Sequence, residues 1–431
     1  MKYAQLDSSI FIENRKRFTE KLKPGSIAIL TSNYEYLWNG DATHKFKQNS
    51  DLFWLTGIDQ EDTYLVLFPD CPVSDYKEAL FLVETNADIA TWNGHKYTVQ
   101  EAFNTSGIKN IFWNTHFYEQ IRAIINMAEY IYLSTNENDR YTYNSPYKSL
   151  DFAYSIQKSF PLHKYERAAP ILQRLRSMKS EKELALMRHA VEIHKKALLR
   201  VLKFVKPGVG EWEIEAEMIH EFLRNRGTGH SFSPIVASGP SACVLHYVEN
   251  NKVCEDGHLL LLDTGCDYAN YASDMTRCMP VNGRFSPRQK QVYNAVLTVM
   301  RQAREMLVPG TMLMEYQERV GLLMEEQLVN LGLLTMNDIH NQNPKNPAYK
   351  KYFMHGTSHF IGIDVHDVGM RYEPMQAGMT FSCEPGIYIK DEGIGVRIEN
   401  EILIGKNHFI DLMDEAQMPI DVDEIEALMN S

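Results

Sequence analysis

Cysteine is scarce in this chain, and the few it has show no pairing pattern. Cys71, Cys243, Cys254, Cys266, Cys278 and Cys383 are spread over 431 residues with no C-x-x-C spacing. That argues against a disulfide scaffold and against thiolate metal ligation. No apolar run approaches the length of a bilayer-spanning helix. Residues 1–20 hold no apolar core of signal-peptide length. The expectation is a cytoplasmic protein with reduced thiols. Positive charge is also short: 44 basic residues face 56 acidic ones, a net charge of −12. That argues against a nucleic-acid or anionic-membrane partner, which would want a basic face.

What is present is enough chain for two domains. The first half alternates β-rich runs at 26–31, 63–68, 79–83 and 130–133 with helical runs at 101–105 and 117–128. It carries no nucleotide fingerprint and no candidate triad. We read residues 1–170 as an α/β domain and 171–431 as a second domain. Residues 337–351, polar and rich in Asn and Lys, read as a loop.

The second domain contains a repeat. Ser180 and Glu183 form a capping box ahead of Leu184, Met187, Val191, Leu198 and Val201 at helical spacing. That helix stops at Lys206-Pro207-Gly208, and another follows to about Asn225. One hundred residues on, Ser286-Pro287 opens a helix. It stops at Val308-Pro309-Gly310, and another runs to about Leu331. After each helix pair comes a strand bearing a carboxylate. Gly257 precedes Asp263 by six residues, and Gly378 precedes Glu384 by the same six. A second carboxylate follows each, Asp274 and Glu399. This reads as a duplicated helix–helix–hairpin unit giving two carboxylates per copy to one site.

Taken singly, each acid has a plainer reading. Asp263-Thr-Gly and Glu384-Pro-Gly look like turns. Asp274 and Thr276 share one face of a hairpin. Arg397, Glu399 and Glu401 share a strand face, as in a surface salt-bridge ladder. The matched positions in two copies favour a site. Four carboxylates balance the charge of two divalent cations. His355, His359 and His366 cluster between glycines, in a loop entering a strand and not in the helical H-E-x-x-H pattern. One imidazole with four carboxylates is a hard, oxygen-rich donor set. It suits Mn²⁺, and less well Co²⁺, Fe²⁺ or Zn²⁺.

These segments resemble the Xaa-Pro aminopeptidases (aminopeptidase P) of the pita-bread metallopeptidases. The resemblance lies in Leu-Leu-Leu-Asp263-Thr-Gly, Asp274-Met-Thr-Arg, His355-Gly-Thr-Ser-His359, Cys383-Glu384-Pro-Gly and Arg397-Ile-Glu399. Gln48-Asn-Ser-Asp51-Leu-Phe-Trp54 also looks like that family's first domain, and Lys45-Phe-Lys47 departs from its more arginine-rich form. The resemblance implies an α/β (α+β) fold with a creatinase-like first domain and a pseudo-twofold pita-bread catalytic domain. It implies that Asp263, Asp274, His359, Glu384 and Glu399 bind two metal ions, often Mn²⁺. His246 and His366 would lie near the scissile bond, and His355 and Arg397 would bind substrate. Trp92 would reach a neighbouring subunit's site, or else be a half-buried residue of the first domain. A homodimer or homotetramer is a family expectation. The substrates would be peptides with proline second, a metal-bridging hydroxide the nucleophile and Glu384 the proton shuttle. Rival readings are a prolidase, restricted to Xaa-Pro dipeptides, a metal-free hydrolase such as creatinase, and a non-catalytic peptide-binding homologue.

Overall fold

The structure, a computed structural model, describes residues 3–140 and 145–431. The chain divides into two compact units, Tyr3–Arg176 and Ser177–Ser431. The expected boundary at 170 falls inside the helix Ala169–Ser177, and the division comes at that helix's end instead.

In the first unit six strands form one mixed sheet, in the order Asn110–Trp113, Glu78–Leu82, Tyr64–Leu67, Ser26–Thr31, Tyr130–Leu133, Lys164–Arg167. The central strand Ser26–Thr31 runs antiparallel to Tyr64–Leu67 and parallel to Tyr130–Leu133. All six of its residues are buried, so both sheet faces are covered. The helix Phe117–Ile125 buries Phe117, Ile121, Ile124 and Ile125, one stripe at helical period. These pack with Ile27, Ile29, Val66, Phe81 and Ile131 in one apolar core.

The second unit is built twice over, as the spacing predicts. Helices Glu181–Phe204 and Glu211–Arg224 open the first copy, and Pro287–Glu305 and Leu313–Asn330 open the second. Both first helices start on capping boxes, Ser180 with Glu183 and Ser286 with Gln289. The Pro-Gly stops match in detail. Gly208 and Gly310 take φ of 92° and 93°, a left-handed backbone that glycine alone adopts cheaply. The Gly208 N–H donates to the Cys254 carbonyl, and the Gly310 N–H to that of Met375, each at 2.8 Å. Those two acceptors lie three residues before Gly257 and Gly378. A duplicated sequence has therefore kept a duplicated hydrogen bond.

Strands follow each helix pair. Leu259–Thr264 lies between Ile235–Ser238 and Met275–Pro280, antiparallel to both. Asn400–Ile404 lies between Thr380–Cys383 and Phe409–Asp411, again antiparallel. A separate hairpin pairs Gly386–Ile389 with Ile394–Arg397. Residues 337–351 are not wholly loop. They hold most of the short helix Met336–His340, started by a Thr335–Asp338 capping box, and the 3-10 turn Ala348–Lys351. Composition pointed to a loop, but the cap supplied a start that composition does not reveal. No described helix is long and apolar enough to cross a membrane, and all six cysteines are free thiols.

One buried histidine locks the first copy together. His194, fully buried on the helix Glu181–Phe204, meets the Ser273 hydroxyl through Nδ1 at 3.1 Å and the Thr264 hydroxyl through Nε2 at 2.9 Å. Burial pushes its pKa down to about 3, so the ring is neutral. Thr264 follows Asp263 and Ser273 precedes Asp274, so this ring ties together the two acid-bearing segments. His194→Ala leaves a cavity and two buried hydroxyls without that partner. It should cost about 3 kcal/mol of stability. Calorimetry should show the melting temperature falling by roughly 5–10 °C for a unit of this size.

Candidate metal centre

The four acids and the histidine arrive from different parts of the chain. Asp263 is inside the strand Leu259–Thr264 and not in a turn, opposite Thr276 on the neighbouring strand. Asp274 leads into the strand Met275–Pro280. Glu384 follows the strand Thr380–Cys383, its N–H donating to the Thr357 carbonyl at 2.9 Å. Glu399 lies between the strands Ile394–Arg397 and Asn400–Ile404. Its N–H donates to the Thr276 carbonyl at 3.1 Å, and its Oε2 accepts from the Thr276 hydroxyl at 2.7 Å. Thr276 thus joins the two copies at the centre. The surface-ladder reading of Glu399 and Glu401 is overturned: both are buried, at 2% and 0% exposure.

His359 sits beside the strand Thr380–Cys383, exchanging backbone contacts with Ser382. Its N–H meets the Ser382 hydroxyl at 3.1 Å, and its carbonyl accepts from the Ser382 N–H at 2.9 Å. Its Nδ1 donates to the Phe360 carbonyl at 3.0 Å. That holds the ring with its Nε2 turned inward. The Nε2 lies 3.5 Å from Asp274 Oδ2 and 3.5 Å from Glu384 Oε1.

Donor atoms of Asp274, His359 and Glu399 all lie within 4.8 Å of one another. Asp263 Oδ1, Asp274 Oδ1 and Glu399 Oε1 are buried with no hydrogen-bond partner. Three orphaned buried carboxylate oxygens would be costly in an apolar interior. Divalent cations satisfy this cost directly, so the residues present fit a metal centre. The electrostatics agree. Burial, then the charges of Asp274, Glu384 and Asp263, hold the Glu399 carboxyl well above its ordinary range. Burial, then Asp263, does the same to Asp274. Glu384, whose side chain stays 18% exposed, is pushed up to about 7, chiefly by burial.

Around this cluster lies a second set. Arg397, 3% exposed, donates through Nη2 to Asp263 Oδ2 at 2.5 Å, through Nε to Thr276 Oγ1 at 3.2 Å and through Nη1 to the Tyr388 hydroxyl at 2.7 Å. The Tyr388 hydroxyl in turn donates to His355 Nε2 at 2.8 Å, while His355 Nδ1 donates to the Gly356 carbonyl at 2.8 Å. Burial, then the Arg397 charge, pushes His355 down to about 3. His355 Nδ1 is 3.8 Å from Glu384 Oε2. His246 is exposed on a turn, near enough for its charge to weigh on His355. His366 is exposed, its ring edge-on to His359 with centroids 4.5 Å apart. Trp92 lies in the first unit, on the helix Ala87–Asn93, and is 88% exposed. It is therefore not the half-buried residue of the alternative reading.

Three participants were not expected from sequence. Tyr388 links His355 to Arg397. Thr276 was placed only as a face-mate of Asp274. Glu401, fully buried, accepts the Asp274 N–H through Oε1 at 2.8 Å. Their only signal in the sequence was a place in a strand, which many residues share.

The two-copy fold and the oxygen-rich donor set define a metallopeptidase: the chain belongs to metallopeptidase family M24, whose model matches residues 185–406. Residues 11–132 match the N-terminal domain of aminopeptidase P. The chain is 32% identical to Xaa-Pro aminopeptidase of Haemophilus influenzae, over 99% of this chain and 98% of that protein. Two solved structures are similar throughout. Pseudomonas aeruginosa aminopeptidase PepP superposes with a TM-score of 0.89 at 31% identity, covering 99% of this chain and 98% of the other. Escherichia coli aminopeptidase P with the inhibitor Pro-Leu gives 0.87 at 30%, covering 99% of each. The second unit is accordingly a pita-bread domain, and the resemblance read from the sequence holds.

Proposed function

We propose that this metallohydrolase removes the first residue from peptides whose second residue is proline, with Asp263, Asp274, His359, Glu384 and Glu399 holding two divalent ions. The carrying observation is the three orphaned buried carboxylate oxygens of Asp263, Asp274 and Glu399, with donor atoms of Asp274, His359 and Glu399 within 4.8 Å of one another. On this hard donor set we assign Mn²⁺. When bound, the ions would lower the pKa of a water so that a nucleophile exists at neutral pH.

The chain's own groups do the rest. Glu384 takes a proton from the attacking water and hands it to the leaving imino nitrogen. His246 or His366 donates to the carbonyl oxygen as it gains charge. Neutral His355 and the Arg397 guanidinium orient the peptide. Proline has no N–H and a fixed φ, so it cannot be held by strand pairing and needs a dedicated pocket. Six unpaired thiols support a cytoplasmic enzyme, and a dimer or tetramer is the assembly we assign. We assign Trp92 to contact with a neighbouring subunit's site.

The test is substrate length. The Mn²⁺-loaded protein should release the first residue from an Xaa-Pro-Yaa peptide, followed by mass spectrometry. Cleavage of an Xaa-Pro dipeptide alone would mean a prolidase, and cleavage of neither would overturn the reading.

A further inference from the structure

One buried carboxylate outside the metal centre has all its hydrogen-bonding capacity spent on one loop. Glu211 opens the helix Glu211–Arg224 and is 0% exposed. Its Oε1 accepts from the Ser238 N–H at 2.8 Å and the Ser238 hydroxyl at 2.7 Å. Its Oε2 accepts from the Tyr247 hydroxyl at 2.7 Å and the Lys252 N–H at 2.9 Å. A carboxylate offers about four acceptor positions, and here four donors fill them.

These donors are not scattered. Ser238 ends the strand Ile235–Ser238, and Lys252 stands where the chain returns after residues 239–251. The Glu211 N–H also donates to the Lys252 carbonyl at 2.9 Å, and Gly210 pairs with Val253. Glu211 therefore closes the base of a loop whose exposed turn carries His246. Its bond to Tyr247 fixes the buried residue adjacent to that histidine. Lys252 Nζ donates to the Ser241 hydroxyl at 2.7 Å, drawing the two arms together. Nothing in the metal centre requires an anion at this place, and burying one unpaired would be costly.

We infer that Glu211 is a positioning residue that fixes the His246 loop against the substrate site. This rests on His246 facing the reacting carbonyl. A glutamine there cannot satisfy the same loop. Whichever way its amide turns, its NH₂ faces a backbone N–H, that of Ser238 or that of Lys252, and backbone donors cannot reverse. The loop must shift, and small displacements of a group that meets the transition state cost heavily in rate.

The experiment is a double-mutant cycle on kcat/KM for an Xaa-Pro-Yaa peptide, with parent, Glu211→Gln, His246→Ala and the double variant. Glu211→Gln should lower kcat/KM roughly ten- to hundredfold, with metal content at the parent level. In the His246→Ala background it should cost nothing further. Independent, multiplying losses, or no loss from Glu211→Gln alone, would overturn the inference. Full activity of His246→Ala would instead overturn the role of His246, and this inference with it. If Glu211→Gln does not fold, Tyr247→Phe removes a single bond of the four. It should show a smaller loss that likewise vanishes without His246, and a loss that persists there would overturn the inference.

Discussion

Glu384→Gln should leave a folded protein that still takes up divalent metal but hydrolyses Xaa-Pro-Yaa peptides about 10³-fold more slowly, within the range that general acid–base groups contribute. Glutamine keeps the volume, the backbone bond to Thr357 and one oxygen. It loses the ability to accept and return a proton. That work is the role proposed for Glu384. Its Oε1 faces His359 Nε2 at 3.5 Å and the Ser382 hydroxyl at 3.4 Å, while Oε2 faces neutral His355 at 3.8 Å. Its side chain is 18% exposed against 6% for that of Asp274. Burial lifts its pKa to about 7 in the metal-free protein. Asp274 and Glu399 lie deeper, and their proposed role is to hold metal. Stopped-flow or discontinuous peptide assays give kcat, and metal analysis gives occupancy. Near-normal kcat with full occupancy would sink the shuttle assignment. Loss of metal in step with activity would return Glu384 to a plain ligand.

The centre's framework was legible because duplication leaves a record in one dimension. Two Pro-Gly stops and two six-residue glycine-to-acid spacings are local patterns, and the matched bonds of Gly208 and Gly310 are their physical counterpart. The strands 26–31 and 130–133 were likewise readable, being short β-branched and aromatic runs buried on both faces. The cross-links were not. Thr276 reaches Glu399 across 123 positions and Arg397 across 121, and Arg397 reaches Asp263 across 134. No local pattern announces a partner so far away. Alternation misled at Glu399 and Glu401, because period two says which residues share a face and not which face is dry. The chain also leaves its strand at Ile398 and Glu399, so the face count does not carry through. Glu211 went unnoticed for a related reason: a glutamate at a helix start is ordinary, and only its four donors make it otherwise.

Stripping the metal should abolish turnover, and it should also make stability depend on pH in a direction that can be worked out. Without metal, Asp274, Glu384 and Glu399 hold raised carboxyl pKa values, by burial first and then by one another's charge. A group whose folded pKa is raised stabilises fully below its unfolded value. That contribution is lost as pH rises through the folded value. The unfolded values are 3.8 for Asp and 4.5 for Glu, and the Glu384 window closes near pH 7. These groups should therefore weaken the metal-free protein progressively from about pH 4 upward. Buried neutral His194 works the other way, strengthening the fold as pH rises toward 6.5. It does so equally with and without metal, so the difference between the two melting temperatures removes it. Metal binds the ionised carboxylates, so its stabilisation should grow through the same window. At a free Mn²⁺ concentration 100-fold above Kd the gain is about 2.7 kcal/mol, roughly 5–10 °C for a unit of this size. Thermal unfolding at pH 5, 6, 7 and 8, with chelator or with Mn²⁺, measures it. A metal-induced shift that stays flat or shrinks as pH rises would mean that these carboxylates are not the ligands.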